Sequence, residues 1–237
     1  EFRRVLFRSQ RQLAKLGKPI DRKEWGMSPQ TVNAYYNSRM NEIVFPAAIL
    51  QAPFFNPEAD DAVNYGGIGA VIGHEISHGF DDSGSQSDGA GNLRDWWTAK
   101  DKENFGRLTS ALVAQYEGYS PLPGYNVNGK LTLGENIADN SGLSIAYKAY
   151  KLSLGGKPST TIDGFSGEQR VFIGWAQVWR GKARDKETIR LLATDPHSPA
   201  AVRGNAPLTN IQGFYDAFGV KENDKMFVAP EKRIKIW

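Results

Sequence analysis

The segment His74-Glu75-Ile-Ser-His78 carries two imidazoles four residues apart, with a carboxylate between them. On a helix, residues i and i+4 lie on one face about one turn apart, so both imidazoles can reach one metal ion. Zinc binds imidazole nitrogen at about 2.0–2.1 Å and lowers the pKa of a bound water to about 7. Glu75 could take the proton of that water. The segment therefore predicts a catalytic zinc site, and the alternative is two surface histidines beside a solvated glutamate.

A catalytic zinc site needs a third protein ligand and one open position. His197 and several carboxylates compete for that place, and Glu135 in the segment 134–139 is the best candidate. Glu135 and Asp139 share a helix face, so Asp139 could accept the free N–H of a zinc-bound imidazole. The alternative is a capping box, in which Thr132 caps the helix and Glu135 is its reciprocal carboxylate. Residue spacing alone does not decide whether Glu135 is a metal ligand or part of a capping box.

The elements that must position these residues are mostly helical. Apolar spacing, helix formers and Gly or Pro boundaries predict helices over 67–78, 95–117, 133–152, 167–182, 184–192 and 208–218. Stretches rich in β-branched and aromatic residues predict two strands, 31–36 and 42–45. The Pro-, Gly- and Ser-rich stretches predict loops over 10–30, 51–60, 118–130, 154–164 and 194–207. The fold class is mainly α with a small β element near the N-terminus.

Apolar residues around the metal motif suggest how it packs. Ile68, Ile72 and Ile76 form a stripe on the side of the helix away from the histidines, which predicts that this stripe faces the core. Gly73 lowers helix propensity by about 1 kcal/mol, so its small size suggests the close approach of another backbone. Four tryptophans are predicted to pack in the core: Trp96, Trp97, Trp175 and Trp179.

The composition is that of a globular chain of 237 residues, with 40% hydrophobic and 23% charged residues and no apolar run long enough to span a membrane. The absence of cysteine excludes disulfides, thiolate metal ligands and thiol nucleophiles. Residues 1–9 hold three arginines and one glutamate, and this nonapeptide is interpreted as adapter- or cloning-derived. Most of the net charge of +3 lies in that nonapeptide, so the charge gives no case for nucleic acid.

Several blocks of the chain together resemble the neprilysin-like (M13) family of zinc metallopeptidases, which are gluzincins. The blocks are His74–Asp82, Gly134–Asp139, Val32–Tyr36, Asn41–Leu50 and Asp195–Pro199, with Arg203, Asn210 and Phe214–Phe218. The resemblance runs from about residue 20 to residue 237. It implies a thermolysin-like catalytic fold and makes residues 10–237 the C-terminal catalytic part of a longer peptidase. Animal members often end in Cys-x-x-Trp, whereas this chain has Ile234-Lys-Ile-Trp237 and no cysteine, which suggests a bacterial member.

The resemblance implies three ligands for one Zn²⁺ per chain: His74, His78 and Glu135. It makes Glu75 the general base and later the proton donor. It makes Asp139 the partner of a zinc-bound histidine, and Asp81 is expected to support the site in a similar way.

The resemblance also implies substrate contacts. Asn33 and Ala34 would bind the peptide backbone from an edge strand, which an extended peptide can extend through main-chain hydrogen bonds. His197 would stabilise the oxyanion, and Arg203 would bind the carbonyl beyond the scissile bond. From the residues alone, His197 could equally be a plain loop histidine, Arg203 an exposed residue and Asn33 a turn residue.

The expected function is that of a zinc metalloendopeptidase on short peptides, with a bulky apolar residue after the scissile bond. The family resemblance also suggests a periplasmic or secreted location and a large N-terminal lobe that this chain lacks. One alternative is a zinc aminopeptidase, but no acidic amine-binding motif precedes residue 67. The other is a truncated, non-catalytic zinc-binding fragment that needs the missing lobe.

Overall fold

The computed structural model describes the backbone of residues 2–237 and the side chains of Phe7 and residues 9–237. Its α-helices are α1 (Phe2–Leu13), α2 (Asp61–Asn64), α3 (Ala70–Ser77), α4 (Ala99–Glu117), α5 (Leu133–Ser153), α6 (Gly167–Val178), α7 (Asp185–Thr194), α8 (Ala200–Asn205) and α9 (Gln212–Phe218). Strands β1 (Tyr35–Asn37) and β2 (Glu42–Val44) form an antiparallel pair. The predicted fold class, mainly α with a small β element near the N-terminus, is confirmed.

Several boundaries differ from the sequence predictions. The predicted helix 95–117 begins at residue 99, and the predicted helix 167–182 ends at residue 178. Residues 10–13 belong to α1 rather than to a loop, and α8 lies inside the predicted loop 194–207. Pro199 stands just before α8, where its missing N–H and fixed φ suit a helix start, so the proline signals helix entry as well as loop. The predicted helix 208–218 is divided into a 3₁₀ turn, Pro207–Asn210, and α9.

Helix α3 carries His74 and follows a π-helical segment, Tyr65–Gly69, and His78 begins the 3₁₀ turn His78–Phe80 directly after α3. The prediction that the isoleucine stripe faces the core is wrong for Ile72 and Ile76, which are 39% and 43% exposed, whereas Ile68 packs against a buried cluster that includes Val71. The opposite face is the buried one and carries His74 and Glu75. Helix α5 packs over that polar face and supplies Asp139 as the hydrogen-bond partner of His74, which offsets the penalty for burying this imidazole.

Helices α3 and α5 touch through their backbones at two glycines. A Cβ atom on Gly73 would lie 2.5 Å from the carbonyl oxygen of Gly142, and one on Gly142 would lie 2.4 Å from the backbone nitrogen of His74. Neither distance is compatible with a side chain. The close approach predicted from Gly73 is therefore confirmed, and it brings the first turns of α5 against the face of α3 that carries His74.

Two apolar clusters flank α5. The first includes Leu143 from α5 and packs it against residues of α6 and α9, namely Phe172, Trp175 and Phe214. The second includes Ile137 from α5 and packs it against residues of α4, α8 and the C-terminal segment, namely Leu112, Tyr116, Val202 and Ile234. With core on both sides, α5 is the central element of this fold.

The tryptophans have different environments. Trp175 is 1% exposed, as predicted for a core residue, whereas Trp96 is 42% exposed and stacks on Trp97 at the surface. Core packing is therefore wrong for Trp96. Within residues 2–237, none of the helices combines the length and the apolar character that a membrane span needs.

The helix contact makes a testable prediction for Gly142→Ala. The added methyl group would overlap the backbone of His74, so the free energy of unfolding should fall by about 1–3 kcal/mol, the usual cost of overpacking. The matched control is Gly106→Ala in α4, where a Cβ meets no atom within 4 Å and the substitution should stabilise by up to about 1 kcal/mol. Denaturant unfolding followed by circular dichroism measures both, and equal effects at the two glycines would contradict the account.

Candidate metal centre

Three side-chain atoms from two helices converge where α3 ends and α5 begins. The Nε2 atoms of His74 and His78 lie 3.0 Å apart. Glu135 Oε2 lies 3.2 Å from the first of these nitrogens and 3.7 Å from the second. Among the described residues, these three form the group of His, Asp and Glu side chains that could hold a metal ion. The structure thus brings together the three ligands predicted from sequence.

Each histidine is oriented by a carboxylate on its other ring nitrogen. His74 Nδ1 lies 2.8 Å from Asp139 Oδ1, and His78 Nδ1 lies 2.7 Å from Asp81 Oδ2. Asp81 is held in turn, because its Oδ1 accepts the backbone N–H groups of Ser83 and Gly84. A carboxylate on Nδ1 fixes the tautomer with the proton there and leaves the Nε2 lone pair free for a metal. Asp139 and Asp81 therefore stand where the sequence analysis expected the histidine partners.

A metal cation fits this arrangement. Two Nε2 lone pairs 3.0 Å apart repel each other unless a proton or a cation lies between them, and the buried Glu135 Oε2 makes no well-formed hydrogen bond. Ligand atoms about 2.0–2.1 Å from a tetrahedral zinc ion are separated by roughly 3.3–3.4 Å. The three observed separations bracket that value.

The electrostatics of the cluster also favour a cation. Burial acts to lower the pKa of His74, but the hydrogen bond to Asp139 and the nearby carboxylate of Glu135 raise it to about 9. Burial acts to raise the pKa of Glu135, but the nearby imidazoles of His197 and His74 lower it well below its usual range. The carboxylates of Asp139 and Glu135 therefore both stabilise a positive charge at the two imidazoles. Burial raises the pKa of Glu75, whose Oε2 is buried without a hydrogen-bond partner and is available to accept a proton.

The capping-box alternative for Glu135 is wrong. The Thr132 side chain makes no capping hydrogen bond to the start of α5. Its hydroxyl instead donates to the carbonyl oxygen of Asn128 and accepts from the Asn136 amide. Glu135 is thereby free to face the histidines.

Arg203 is buried beside the cluster, so the interpretation as an exposed residue is wrong. It is 8% exposed, and its Nε and Nη2 donate to the two oxygens of Asp139 at 2.7 and 2.8 Å. The guanidinium carbon lies 3.8 Å from the centre of the Trp179 ring. Asp139 therefore joins two elements, since it binds His74 of α3 and Arg203 of α8.

His197 lies at the edge of the same cluster. Its Nε2 is 3.2 Å from Glu135 Oε2, and Asp195 Oδ1 accepts hydrogen bonds from both its backbone N–H and its Nδ1. The next residue, Ser198, donates its hydroxyl to Asn136 Oδ1 on α5. The loop that carries His197 is thus fastened to the helix that carries Glu135.

Asn33 and Ala34 lie just before β1 rather than inside a strand over 31–36. Ala34 is buried in a cluster with Val71 of α3, while Asn33 is exposed. Among the described residues, β1 pairs only with β2, so its other edge is open. The structure does not bring these two residues into the metal cluster, and a contact with substrate stays a prediction.

Comparison with known proteins decides the family. The model of the family "Peptidase family M13" matches residues 33–234. This chain belongs to peptidase family M13. The M13 chain is 45% identical over 227 residues to the neutral endopeptidase of Lactococcus lactis subsp. cremoris, and the match covers 96% of the chain and 34% of that protein. It is 44% identical over 225 residues to human endothelin-converting enzyme 1, covering 94% of the chain and 29% of that protein.

A solved structure has the same fold. The zinc metalloprotease ZMP1 of Mycobacterium tuberculosis, crystallised with an inhibitor, aligns with a TM-score of 0.94 and 59% sequence identity. The alignment covers 97% of the M13 chain and 36% of ZMP1. The chain therefore spans about a third of the length of the relatives it matches.

Sequence reasoning missed four residues that position this M13 site. They are Asp195 beneath His197, the Asn136–Ser198 pair, and Trp179 against Arg203. Asp195 could have been found from its two-residue spacing to His197. Trp179 gave no such signal, because a tryptophan near a helix end is typical of core packing and its arginine partner is 24 positions away.

The Arg203–Asp139 pair makes a prediction for Arg203→Leu. Removing the guanidinium leaves a buried carboxylate with only His74 as a partner, so the free energy of unfolding should fall by about 3–5 kcal/mol. The double variant Arg203→Leu/Asp139→Asn removes the orphaned charge and should be more stable than Arg203→Leu alone. Denaturant unfolding with a chelator present keeps metal binding out of the measurement. A double variant no more stable than the single one would show that the buried charge does not matter.

Proposed function

We propose that this M13 chain is the metal-binding catalytic part of a zinc metalloendopeptidase. The observation that carries the proposal is the convergence of His74 Nε2, His78 Nε2 and Glu135 Oε2, with a carboxylate on the far nitrogen of each imidazole. Two imidazoles and one carboxylate with an open fourth position are a donor set of catalytic zinc sites. One Zn²⁺ per chain is the cofactor this donor set would hold.

Zinc, when bound, would polarise the scissile carbonyl and make a water molecule acidic enough to attack at neutral pH. The protein groups supply the rest of the chemistry. Glu75, with its buried and unpartnered oxygen, would accept the water proton and later deliver it to the leaving amine. Asp139 and Asp81 would hold the two imidazoles in the orientation that binding requires.

Two hydrogen-bond donors border the place where negative charge would develop. His197 lies 3.2 Å from Glu135, whose carboxylate raises the pKa of His197, and the imidazole would donate to an oxyanion. Arg203 uses Nε and Nη2 on Asp139, so Nη1 is left to donate to the carbonyl beyond the scissile bond. Asn33 and Ala34, which directly precede the strand β1 with its unpaired edge, would hold the peptide in an extended form.

The substrates and the full activity belong to a longer protein in this proposal. The chain spans about a third of its relatives, and Ile72 and Ile76 leave apolar surface exposed on the helix that carries the zinc ligands. An absent N-terminal lobe would cover such a surface and restrict substrates to short peptides. The short length of the chain and its exposed apolar surface also favour the second candidate, a zinc-binding fragment that is inactive without that lobe.

Zinc content tests the metal site directly. The purified wild-type chain should hold one zinc per chain by elemental analysis, and Glu135→Ala should lose most of it, because a ligand atom is removed from a three-ligand site. The matched control is Glu103→Ala, an exposed glutamate of α4 that should leave zinc content unchanged. A folded wild-type chain that takes up no zinc would overturn the proposed site.

Peptide cleavage tests the role of Glu75. Glu75→Gln keeps the size of the side chain but removes the proton acceptor, so cleavage of a fluorogenic peptide should fall by about 10²- to 10⁴-fold with zinc content unchanged. Glu103→Gln serves as the control with full activity. A wild-type chain that binds zinc and cleaves nothing would favour the inactive-fragment alternative, whereas an active Glu75→Gln variant would exclude Glu75 as the base.

A further inference from the structure

The segment between α6 and α7 concentrates positive charge. Residues 180–190 contain five cationic and two anionic side chains, an excess equal to the net charge of +3 of the whole chain. Four of the cations are Arg180, Lys182, Arg184 and Lys186, and all four are exposed. Within the part of the chain that the structure describes, none of these four forms an ion pair. One local acid, Glu187, is already bound by both ends of the Arg190 guanidinium, at 2.9 and 2.7 Å.

Both ends of this segment are attached to the candidate site. At the start, Trp179 lies against the Arg203 guanidinium at 3.8 Å. At the far end, α7 leads into the loop whose His197 lies 3.2 Å from Glu135. The turn after Trp179 is tight, with the Gly181 N–H donating to the Trp179 carbonyl oxygen, and a Cβ on Gly181 would reach within 4.0 Å of Ala200 in α8. The cationic loop therefore begins next to the helix that carries Arg203.

The cations are not used by the fold. Arg184 precedes α7 without any side-chain capping hydrogen bond. Lys186 stands in the first turn of that helix, where the positive end of the helix dipole makes a cation unfavourable. Asp185 and Glu187 share that turn, but among the described residues neither forms an ion pair with Arg184 or Lys186, so both cations are available to an anionic ligand.

We propose that the loop formed by residues 180–186, here called the cationic loop, selects peptides that carry acidic side chains downstream of the scissile bond. This inference rests on the proposed function, because Arg203 lies on the downstream side of the substrate only if it binds the carbonyl beyond the scissile bond. A peptide that passes Arg203 would next meet the cationic loop, which begins directly after Trp179. Acidic side chains would gain exposed ion pairs with Lys182 and Arg184, each worth little alone but additive in the free energy of binding.

The test measures binding rather than cleavage, so that it does not depend on turnover. Three peptides of equal length share one apolar residue for the position after the scissile bond. The first has two glutamates further downstream, the second has glutamines there, and the third has its glutamates upstream. Each is titrated into the zinc-loaded Glu75→Gln chain, and fluorescence anisotropy reports the dissociation constant.

The downstream-glutamate peptide should bind about threefold to tenfold more tightly than the other two, the factor expected from one or two exposed ion pairs. Lys182→Gln/Arg184→Gln should bring that ratio close to one, while the charge-conserving Lys182→Arg/Arg184→Lys should keep it. Lys221→Gln/Lys225→Gln removes the same charge from exposed positions after α9 and should also keep it. Raising the salt to about 0.5 M should abolish the preference, since exposed charges are then screened.

Several results would overturn the inference. They are equal binding of the three peptides, binding of none of them, a preference for glutamate wherever it stands, and a preference that survives Lys182→Gln/Arg184→Gln. The proposed function fails in a different way. If the wild-type zinc-loaded chain, joined to its absent lobe, cleaves none of these peptides while the charge-dependent binding persists, the peptidase proposal is wrong and the cationic loop remains a site for acidic peptides.

Discussion

The contact between the backbones of α3 and α5 is the constraint on which the rest of the structure depends. Gly73 and Gly142 leave no room for a Cβ atom on either side, so the backbones of the two helices are in direct contact here. At that distance, Asp139 on one helix reaches His74 on the other, and Glu135 one turn earlier reaches the same imidazole from its metal-binding side. A larger separation would break both contacts, because neither carboxylate has a long side chain.

Buried charged groups then stabilise the arrangement of side chains beside the contact of α3 and α5. Asp139 is 1% exposed and accepts hydrogen bonds from His74 and Arg203, so one carboxylate couples the metal helix to α8. Arg203 is covered in turn by Trp179. Such a network is stable only when every member is paired, which accounts for the removal of the Thr132 side chain from its capping role and the fastening of Ser198 to Asn136. Among the buried side-chain oxygens that have no hydrogen-bond partner, those of Glu75 and Glu135 border the proposed metal position.

Much of this could be predicted from the sequence, because the chemistry lies in local motifs. The i, i+4 histidines and the i, i+4 pair Glu135 and Asp139 define their helix faces without reference to the rest of the chain. The direction of burial could not be predicted, since the Ile72 and Ile76 stripe suggested the wrong core-facing side. Periodicity identifies an apolar face but not what covers the opposite one. The stacking of Trp179 on Arg203 and the helix after Pro199 likewise depend on tertiary contacts, which single-sequence patterns do not report.

The central claim is that one metal is held by two imidazoles and one carboxylate, with His197 beside the metal but not bound to it. Zinc-edge X-ray absorption on the zinc-loaded chain tests this most directly, because the outer-shell scattering counts imidazole ligands. We expect two imidazoles and oxygen ligands at about 2.0–2.2 Å, with the same spectrum from His197→Ala. A third imidazole that disappears in His197→Ala, or a spectrum unchanged by Glu135→Ala, would contradict the account.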